Sequence, residues 1–173
     1  MRSAIAACAV VVLACAAWKT ARAEESAPVK PDIVDLRQTD QSLRETYAKG
    51  KRIGLPRLVM LDSQGRLIYG QSGVTSNLRY HLHQALEKDK PLAVPITLNA
   101  VLDEVQDRDG NPVTVATLPK ADAYVVDYWA SWCTPCRMME RDLKGVLDDW
   151  HDARIVWIKV ESDPEILPEH RRK

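Results

Sequence analysis

Short apolar runs alternate with segments of helical spacing along the second half of the chain. The run at 124–126 predicts a buried strand, and the apolar segment at 154–160 predicts another. Between them, residues 134–150 carry apolar side chains at intervals of three and four, the pattern of an amphipathic helix. The residues predicted on its buried face are Met139, Leu143, Val146, Leu147 and Trp150. This half of the chain therefore predicts a strand–helix–strand unit.

The first half has the same alternation in shorter pieces. Gly65 ends an Asp-Ser-Gln-Gly turn, where its freedom to take a positive φ predicts a hairpin between the strands on either side. Leu43 and Tyr47 are spaced to face inward from one helix, and a second helix is capped by Thr75 or Ser76. The predicted elements are strands at 32–36, 57–61 and 66–69 and helices at 40–49 and 75–88.

A segment with two prolines, 88–99, predicts a linker between a block at 30–88 and a block at 98–162. The second block is predicted to open on a hairpin, with strands at 98–105 and 112–116 joined by a polar turn. Both blocks mix strand and helix patterns, so the fold class that the pattern predicts is α/β.

The first 23 residues have the pattern of an export signal. Arg2 gives a positive start, residues 4–17 an apolar stretch, and Ala-Arg-Ala at 21–23 a cleavage site of small residues. The stretch is too short to cross a membrane, which takes ~20 residues. A lipoprotein signal that leaves Cys15 to be lipidated is the alternative. We therefore expect an exported protein of the bacterial periplasm, with one domain at 24–173.

Cleavage would change both the charge and the cysteine content. It removes three basic residues and no acid, which leaves 21 basic and 24 acidic residues and a net charge of −3. This balance argues against nucleic acid as a partner. It also removes Cys8 and Cys15, so Cys133 and Cys136 are the remaining thiols. Residues 163–173, which end in three basic side chains, predict a solvated tail.

The position of the Cys-x-x-Cys pair at a helix start predicts redox chemistry. Cys133 falls in the first turn, where unpaired backbone N–H groups and the helix dipole favour an anion. Such an environment lowers a thiol pKa from ~8.5 into the range ~3.5–7.5. Cys136, one turn later, is placed to attack a mixed disulfide formed at Cys133. We expect a site of dithiol–disulfide exchange.

Two structural interpretations compete with this one. A zinc site needs four ligands, but the sequence has no second pair of cysteines beside the first and its histidines are scattered, so we expect no metal. A purely structural disulfide would close a loop of four residues, which constrains the unfolded chain very little.

Residues 126–136, Val-Asp-Tyr-Trp-Ala-Ser-Trp-Cys-Thr-Pro-Cys, resemble the active-site signature of the thioredoxin superfamily. The turn at 109–113 is similar to the exported branch of that family, which includes the cytochrome-c-maturation reductases. The resemblance implies a thioredoxin-like fold, a central mixed sheet flanked by helices. It also implies a thiol–disulfide oxidoreductase that uses no cofactor, acts on protein disulfides or dithiols and is re-reduced by a membrane electron donor.

The resemblance implies a role for each residue of the signature. Cys133 attacks a partner disulfide and Cys136 resolves the mixed disulfide. Asp127 stands where thioredoxins keep a buried carboxylate that accepts or relays the Cys136 proton; its alternative is a solvated acid at a strand end. Trp132 shields the thiolate and forms part of the substrate platform, or else is a packed aromatic side chain.

In the first block, Gly-Leu-Pro at 54–56 is similar to the family's cis-proline loop. The resemblance implies that Pro56 is cis and faces the cysteines, and that Leu55 pairs its backbone with a substrate chain as an added strand. The alternative is an ordinary trans proline at a strand start. Thr134 and Pro135 set the redox poise, and Pro135 suits the first turn because it lacks an N–H group.

The order of these motifs departs from the family. There the Cys-x-x-Cys block precedes the cis-proline block, whereas here Pro56 precedes Cys133. Each block lacks what the other has, so we expect a circularly permuted domain in one chain, or a dimer with exchanged halves. A separate degenerate first domain is the alternative. Strands at 32–36 and 155–160 compete for the place beside the active-site strand; we expect 155–160 to take it and 32–36 to pair at an edge.

Three functions stay open from the sequence. The first is a reductase-type thioredoxin acting on protein disulfides or apocytochrome thiols. The second is a disulfide oxidase or isomerase, which needs a pair near ~−120 mV rather than ~−270 mV. The third is a non-enzymatic binding or assembly module.

Overall fold

The computed structural model describes residues 30–48 and 54–164. The predicted export signal at 1–23, Cys15 and the last nine residues of the predicted tail lie outside them. Among the described residues, no helix has the length and apolar character that a membrane crossing requires. The strands are β1 (Asp32–Gln38), β2 (Arg57–Asp62), β3 (Leu67–Ser72), β4 (Val105–Gln106), β5 (Ala123–Trp129) and β6 (Ile155–Glu161). The helices are α1 (Asp40–Ala48), α2 (Leu78–Lys88), α3 (Leu98–Leu102) and α4 (Thr134–Asp148), with a 3₁₀ turn at Val115–Thr117.

All six strands form one mixed sheet in the order β3-β2-β5-β6-β1-β4. β5 runs parallel to β6, and β6 parallel to β1. β2 runs antiparallel to both β5 and β3, and the short β4 antiparallel to β1. The β5–β6 pair of the second block is thus flanked on both sides by strands of the first block, and one chain supplies the whole sheet.

Helices cover both faces of this sheet, and alternation along β5 divides its side chains between them. Ala123 and Val125 pack with the buried faces of α2 and α4, whereas Tyr124 and Val126 pack with α3 on the other side. The apolar spacing predicted for 134–150 is realised in α4, whose Met139 and Leu143 are fully buried. A central mixed sheet between helices is the fold class that the sequence predicts.

The hairpin predicted at 98–105 and 112–116 is wrong. Leu98–Leu102 is a helix, because the Thr97 hydroxyl accepts from Ala100 N at 3.2 Å and caps it. Leu98, Val101 and Leu102 are buried at helical spacing, so the same apolar residues serve a helix as well as a strand. Only a single bridge, between Gln106 and Pro112, remains of the predicted pairing.

Two smaller predictions also need correction. The N-cap of α2 is Asn77 rather than Thr75 or Ser76, and its side chain makes no capping hydrogen bond. The predicted solvated tail starts too early, since Asp163 is 2% exposed and bonded to the loop before the cysteines.

The competition between the two similar strands is resolved by the sheet order. β6 lies beside the active-site strand β5, as predicted. The strand predicted at an edge, β1, pairs on the far side of β6 but is not the edge strand, because the short β4 lies outside it. β6 is buried along almost its whole length, whereas Ile33 of β1 is 54% exposed. The more apolar strand therefore takes the more central place.

Candidate active site

The site begins where β5 ends and α4 starts. Cys133 is the N-cap of α4, and its Sγ accepts from the Cys136 backbone N at 3.1 Å. Pro135 lies in the first turn, where its missing N–H leaves no donor unpaired. Cys133 and Cys136 are joined by a disulfide, with their Cα atoms 5.3 Å apart. A helix N-terminus therefore points its donors and its positive end at the Cys133 sulfur, as the sequence predicts.

The cysteines are sheltered by their neighbours. Cys133 and Cys136 are 3% and 2% exposed and cluster with Ala130; Leu55 and Trp129 pack against this cluster. Trp132 is 52% exposed, and Thr134 and Pro135 are exposed at the helix start. A partner must therefore approach the sulfur across the exposed surface around Trp132.

The first block reaches the site through the Leu55–Pro56 peptide bond, which is cis. Arg57 pairs with Tyr128 at the start of β2, so Leu55 and Pro56 lie beside the end of β5, where the cysteine loop begins. Leu55 packs against the cysteine cluster. The structure thus brings the two motifs together within one chain, although they are far apart in sequence.

Sequence reasoning missed Val74, which extends the exposed surface near Pro56. The Gly73 N donates to the Pro56 carbonyl at 2.7 Å, which ties the loop after β3 to the cis proline. Gly73 has a φ of 83°, a conformation that favours glycine. The next residue, Val74, is 46% exposed. A glycine followed by an exposed apolar residue after the second hairpin strand was the available signal.

Asp127 is buried on the face of the sheet that α4 covers. It follows Ala123 and Val125 by the period of two along β5, and it is 1% exposed. Neither carboxylate oxygen has a hydrogen-bond partner among the described residues. Burial raises the pKa of Asp127 to about 7, with a further increase from Glu140 and an opposing effect of Lys159. The predicted alternative, a solvated acid at a strand end, does not fit this burial.

Two charged residues that sequence reasoning missed lie next to Asp127. Lys159 of β6 is its register partner, and the Lys159 Nζ lies 2.5 Å from Glu140 Oε1. The same ammonium lies over the rings of Trp129 and Trp157, at 5.8 and 5.4 Å from their centroids. The signal for Glu140 was its position four residues after Cys136, on the same face of the helix.

The loop before Cys133 is held by the end of β6. The Ser131 backbone N donates to Asp163 Oδ2 at 3.1 Å, and the Ser131 hydroxyl also bonds that carboxylate. The Tyr47 hydroxyl of α1 donates to the neighbouring Ser162 carbonyl at 3.0 Å. Elements of both blocks thus hold Ser131 and the segment 162–163 to which it is bonded.

Among residues 30–48 and 54–164, no group of three or more His, Cys, Asp or Glu side chains is placed to hold a metal ion. The chemistry available at the site is that of the sulfur pair and the buried carboxyl.

The family model described as Thioredoxin matches residues 113–169, the segment that holds β5, the cysteines and β6. Over this segment, a third of the chain, the protein is similar to the thioredoxin family. It is 38% identical over 48 residues to mitochondrial thioredoxin-3 of Saccharomyces cerevisiae, covering 28% of this chain and 38% of that protein. It is 33% identical over 42 residues to a thioredoxin of Mycoplasma genitalium, covering 24% and 41%. Thioredoxin H2 of Arabidopsis thaliana is 40% identical over 45 residues, covering 26% and 34%.

The chain spans about two fifths of the length of the curated thioredoxins it matches. The family segment includes Asp127, both cysteines and Lys159, whereas Leu55 and Pro56 precede it. No solved structure was found to match the chain. The thioredoxin-like surroundings of the cysteines are therefore completed by a first block that lies outside the family match.

The raised pKa of Asp127 makes a prediction about stability. Because the folded state binds this proton more tightly than the unfolded chain does, the contribution of Asp127 to stability is greatest below about pH 4 and is lost as the pH rises to about 7. Asp127→Asn should remove this loss, which is on the order of a few kcal/mol. Urea unfolding of the oxidised proteins from pH 4 to 9 measures the difference.

Asp142→Asn is the matched control for this experiment, because it removes one charge from the exposed face of α4. Its pH dependence should run parallel to that of the parent protein. Parallel curves for Asp127→Asn and the parent would show that the Asp127 carboxyl titrates in the folded state as it does in the unfolded chain.

Proposed function

We propose that the protein is a reductase-type thiol–disulfide oxidoreductase that acts on protein disulfides through Cys133 and Cys136. One observation carries the proposal: the Cys133 sulfur caps α4, accepts a backbone N–H and is disulfide-bonded to Cys136 at a site that Leu55 of the first block covers. Helix-start donors stabilise the thiolate that nucleophilic attack requires. The similarity of residues 113–169 to thioredoxins supports the same chemistry.

The reaction is a pair of exchanges between sulfurs. The Cys133 thiolate attacks a partner disulfide, one partner sulfur leaves as a thiolate that takes up a proton from solvent, and a mixed disulfide forms. Cys136 then loses its proton and attacks the Cys133 sulfur. This step releases the second partner thiol and leaves the protein oxidised. In this proposal Asp127 accepts the Cys136 proton, because its pKa near 7 lets it both take up and release a proton at neutral pH.

The substrate surface in this proposal consists of Trp132, Leu55 and Val74. Trp132 and Val74 are about half exposed, and Gly73 links the Val74 loop to Pro56. An extended substrate chain would pair with the Leu55 backbone, and its apolar side chains would pack on Trp132 and Val74. Thr134 and Pro135 separate the two sulfurs and set their redox poise in this proposal.

We extend the proposal to the chain order and the location. The arrangement of β2, β5 and Leu55 in one chain supports a circularly permuted thioredoxin domain over a separate first domain. The export pattern of residues 1–23 supports a periplasmic location with re-reduction by a membrane donor. One chain supplies all six strands of the described sheet, so a dimer with exchanged halves is not needed to complete it.

The test is reduction of a disulfide-bonded protein, such as insulin, by a small dithiol with and without this protein. We expect acceleration, and a Cys133–Cys136 potential closer to ~−270 mV than to ~−120 mV. A potential near ~−120 mV would favour the disulfide oxidase. Absence of any acceleration, with the pair reversibly oxidised and the fold intact, would favour the binding or assembly module.

Trp132→Ala should weaken the binding of a protein substrate more than it lowers the rate of thiol–disulfide exchange. Loss of an exposed aromatic contact raises KM for a protein disulfide about tenfold, whereas the rate with a small disulfide stays nearly unchanged. Steady-state kinetics with both substrates separate these effects. Tyr80→Ala is the matched control, because Tyr80 is 63% exposed on α2 and has no place in the proposed surface. Equal KM values for the two variants would contradict the assigned surface.

A further inference from the structure

The charged side chains close to the cysteines include one carboxyl group, that of Glu140, which the proposed disulfide exchange does not use. Asp127 and Lys159 face each other in register on β5 and β6. Glu140 reaches the same lysine from α4 and forms the ion pair with it. Two carboxyl groups thus share one ammonium group, and only the Glu140 carboxylate has a hydrogen bond to it.

Exposure increases along these three side chains. Asp127 is 1% exposed, whereas the side chains of Lys159 and Glu140 are 19% and 37% exposed. The arrangement therefore runs from the buried carboxyl to solvent. Because Lys159 also lies over the rings of Trp129 and Trp157, its ammonium is confined to this place.

Apolar side chains cover most of the sheet face on which Asp127 lies. From β2, Asp127 is opposed in register by Leu58, and α2 contributes Leu78 and Leu82 to the same face of the sheet. From α4 the same face receives Cys136 and Glu140, one turn apart. The charged groups that act on the Asp127 carboxyl are Glu140, which raises its pKa, and Lys159, which lowers it.

We propose that Glu140 is a positioning residue for proton transfer: it holds Lys159 in an ion pair and so prevents that cation from neutralising Asp127. This inference rests on the proposed function. When the Cys136 sulfur bonds to the Cys133 sulfur, its proton passes to the Asp127 carboxylate and from there to solvent. The bond between the Cys133 sulfur and the partner sulfur breaks, and its electron pair leaves with the partner sulfur as a thiolate. An Asp127 carboxylate fully paired with Lys159 would be a weaker base. By pairing with Lys159 itself, Glu140 keeps Asp127 basic enough to accept the proton.

The direct test is titration of the Asp127 carboxyl by carbon-13 NMR in the oxidised protein, where the cysteines carry no titratable proton. The midpoint of Asp127 in the parent protein should lie near pH 7. In Glu140→Gln it should fall by about one pH unit, because Lys159 then pairs with Asp127. In Lys159→Gln it should rise. Glu140→Asp should restore the midpoint toward the parent value, and Asp142→Asn should leave it unchanged.

The kinetic test follows the pH dependence of the Cys136 step, measured as release of a mixed disulfide held at Cys133. The acidic limb should shift to lower pH in Glu140→Gln and to higher pH in Lys159→Gln. An unchanged or raised midpoint in a folded Glu140→Gln would overturn the inference. If the parent turns over disulfides but neither profile shifts, this inference alone fails; if the midpoint shifts but the parent has no turnover, the proposed function fails.

Discussion

Cys133→Ser should lower the catalysed rate of disulfide reduction by about three orders of magnitude or more. A hydroxyl at the α4 N-cap can accept the Cys136 N–H as the sulfur does, but it cannot form a disulfide with a partner. The fold should persist, because serine is a good N-cap residue. The measurement is the initial rate of insulin reduction, with circular dichroism as the check on folding.

Cys136→Ser is the companion variant and should behave differently. It retains the attacking sulfur but lacks the resolving one, so it should accumulate a mixed disulfide with its substrate, detectable by mass spectrometry without reductant. If Cys133→Ser kept its turnover, the enzymatic proposal would be wrong. If Cys136→Ser trapped no partner while folded, the assignment of Cys133 as the attacking residue would fail.

Residues 94–173 produced alone should not fold. The fragment lacks β2 beside β5 and β1 beside β6, so both neighbours of its central strand pair are missing. It also loses α2, which packs with α4, and a sheet of so few strands without partners is at most marginally stable. We expect the complete loss of cooperative unfolding in urea, monitored by circular dichroism and tryptophan fluorescence.

Adding the complementary fragment, residues 24–93, should restore both the fold and disulfide turnover. A full chain cleaved at the same bond, between Ala93 and Val94, is the control, because both residues are exposed and outside regular elements. This cleaved chain should stay folded. A fragment 94–173 that unfolds cooperatively by itself would instead support a separate first domain.

Much of the sheet was predictable because its buried strands are unambiguous. The apolar run at 124–126 is too short for a helix, and the stretch from 134 to 150 has clear helical spacing. The error at 98–105 has a physical origin, since five apolar or small residues suit either a strand or one helical turn. The Thr97 side chain favours the helix by capping it, and the packing of α3 against the sheet stabilises it further.

Some residues of the site lie in one sequence motif, and others reach it only through the tertiary structure. Cys133, Cys136 and Asp127 belong to one continuous motif, so the sequence placed them together. The approach of Leu55 depends on the register of β2 against β5, and only the resemblance pointed to it. Lys159 and Glu140 were missed because their sequence positions do not show whether the ion pair is fully exposed or, as here, partly buried beside Asp127. Which of these it is depends on the packing of α4 against the sheet.

The ionisation of Cys133 in the reduced, folded protein tests the account most directly. The measurement is the rate of iodoacetamide alkylation from pH 5 to 10, with the site located by mass spectrometry and the unfolded protein in urea as reference. Because the N-terminus of α4 stabilises the thiolate, the rate should reach its plateau well below pH 8.5 in the folded protein and only above it in urea. Coincident profiles for the folded and unfolded protein would contradict the account.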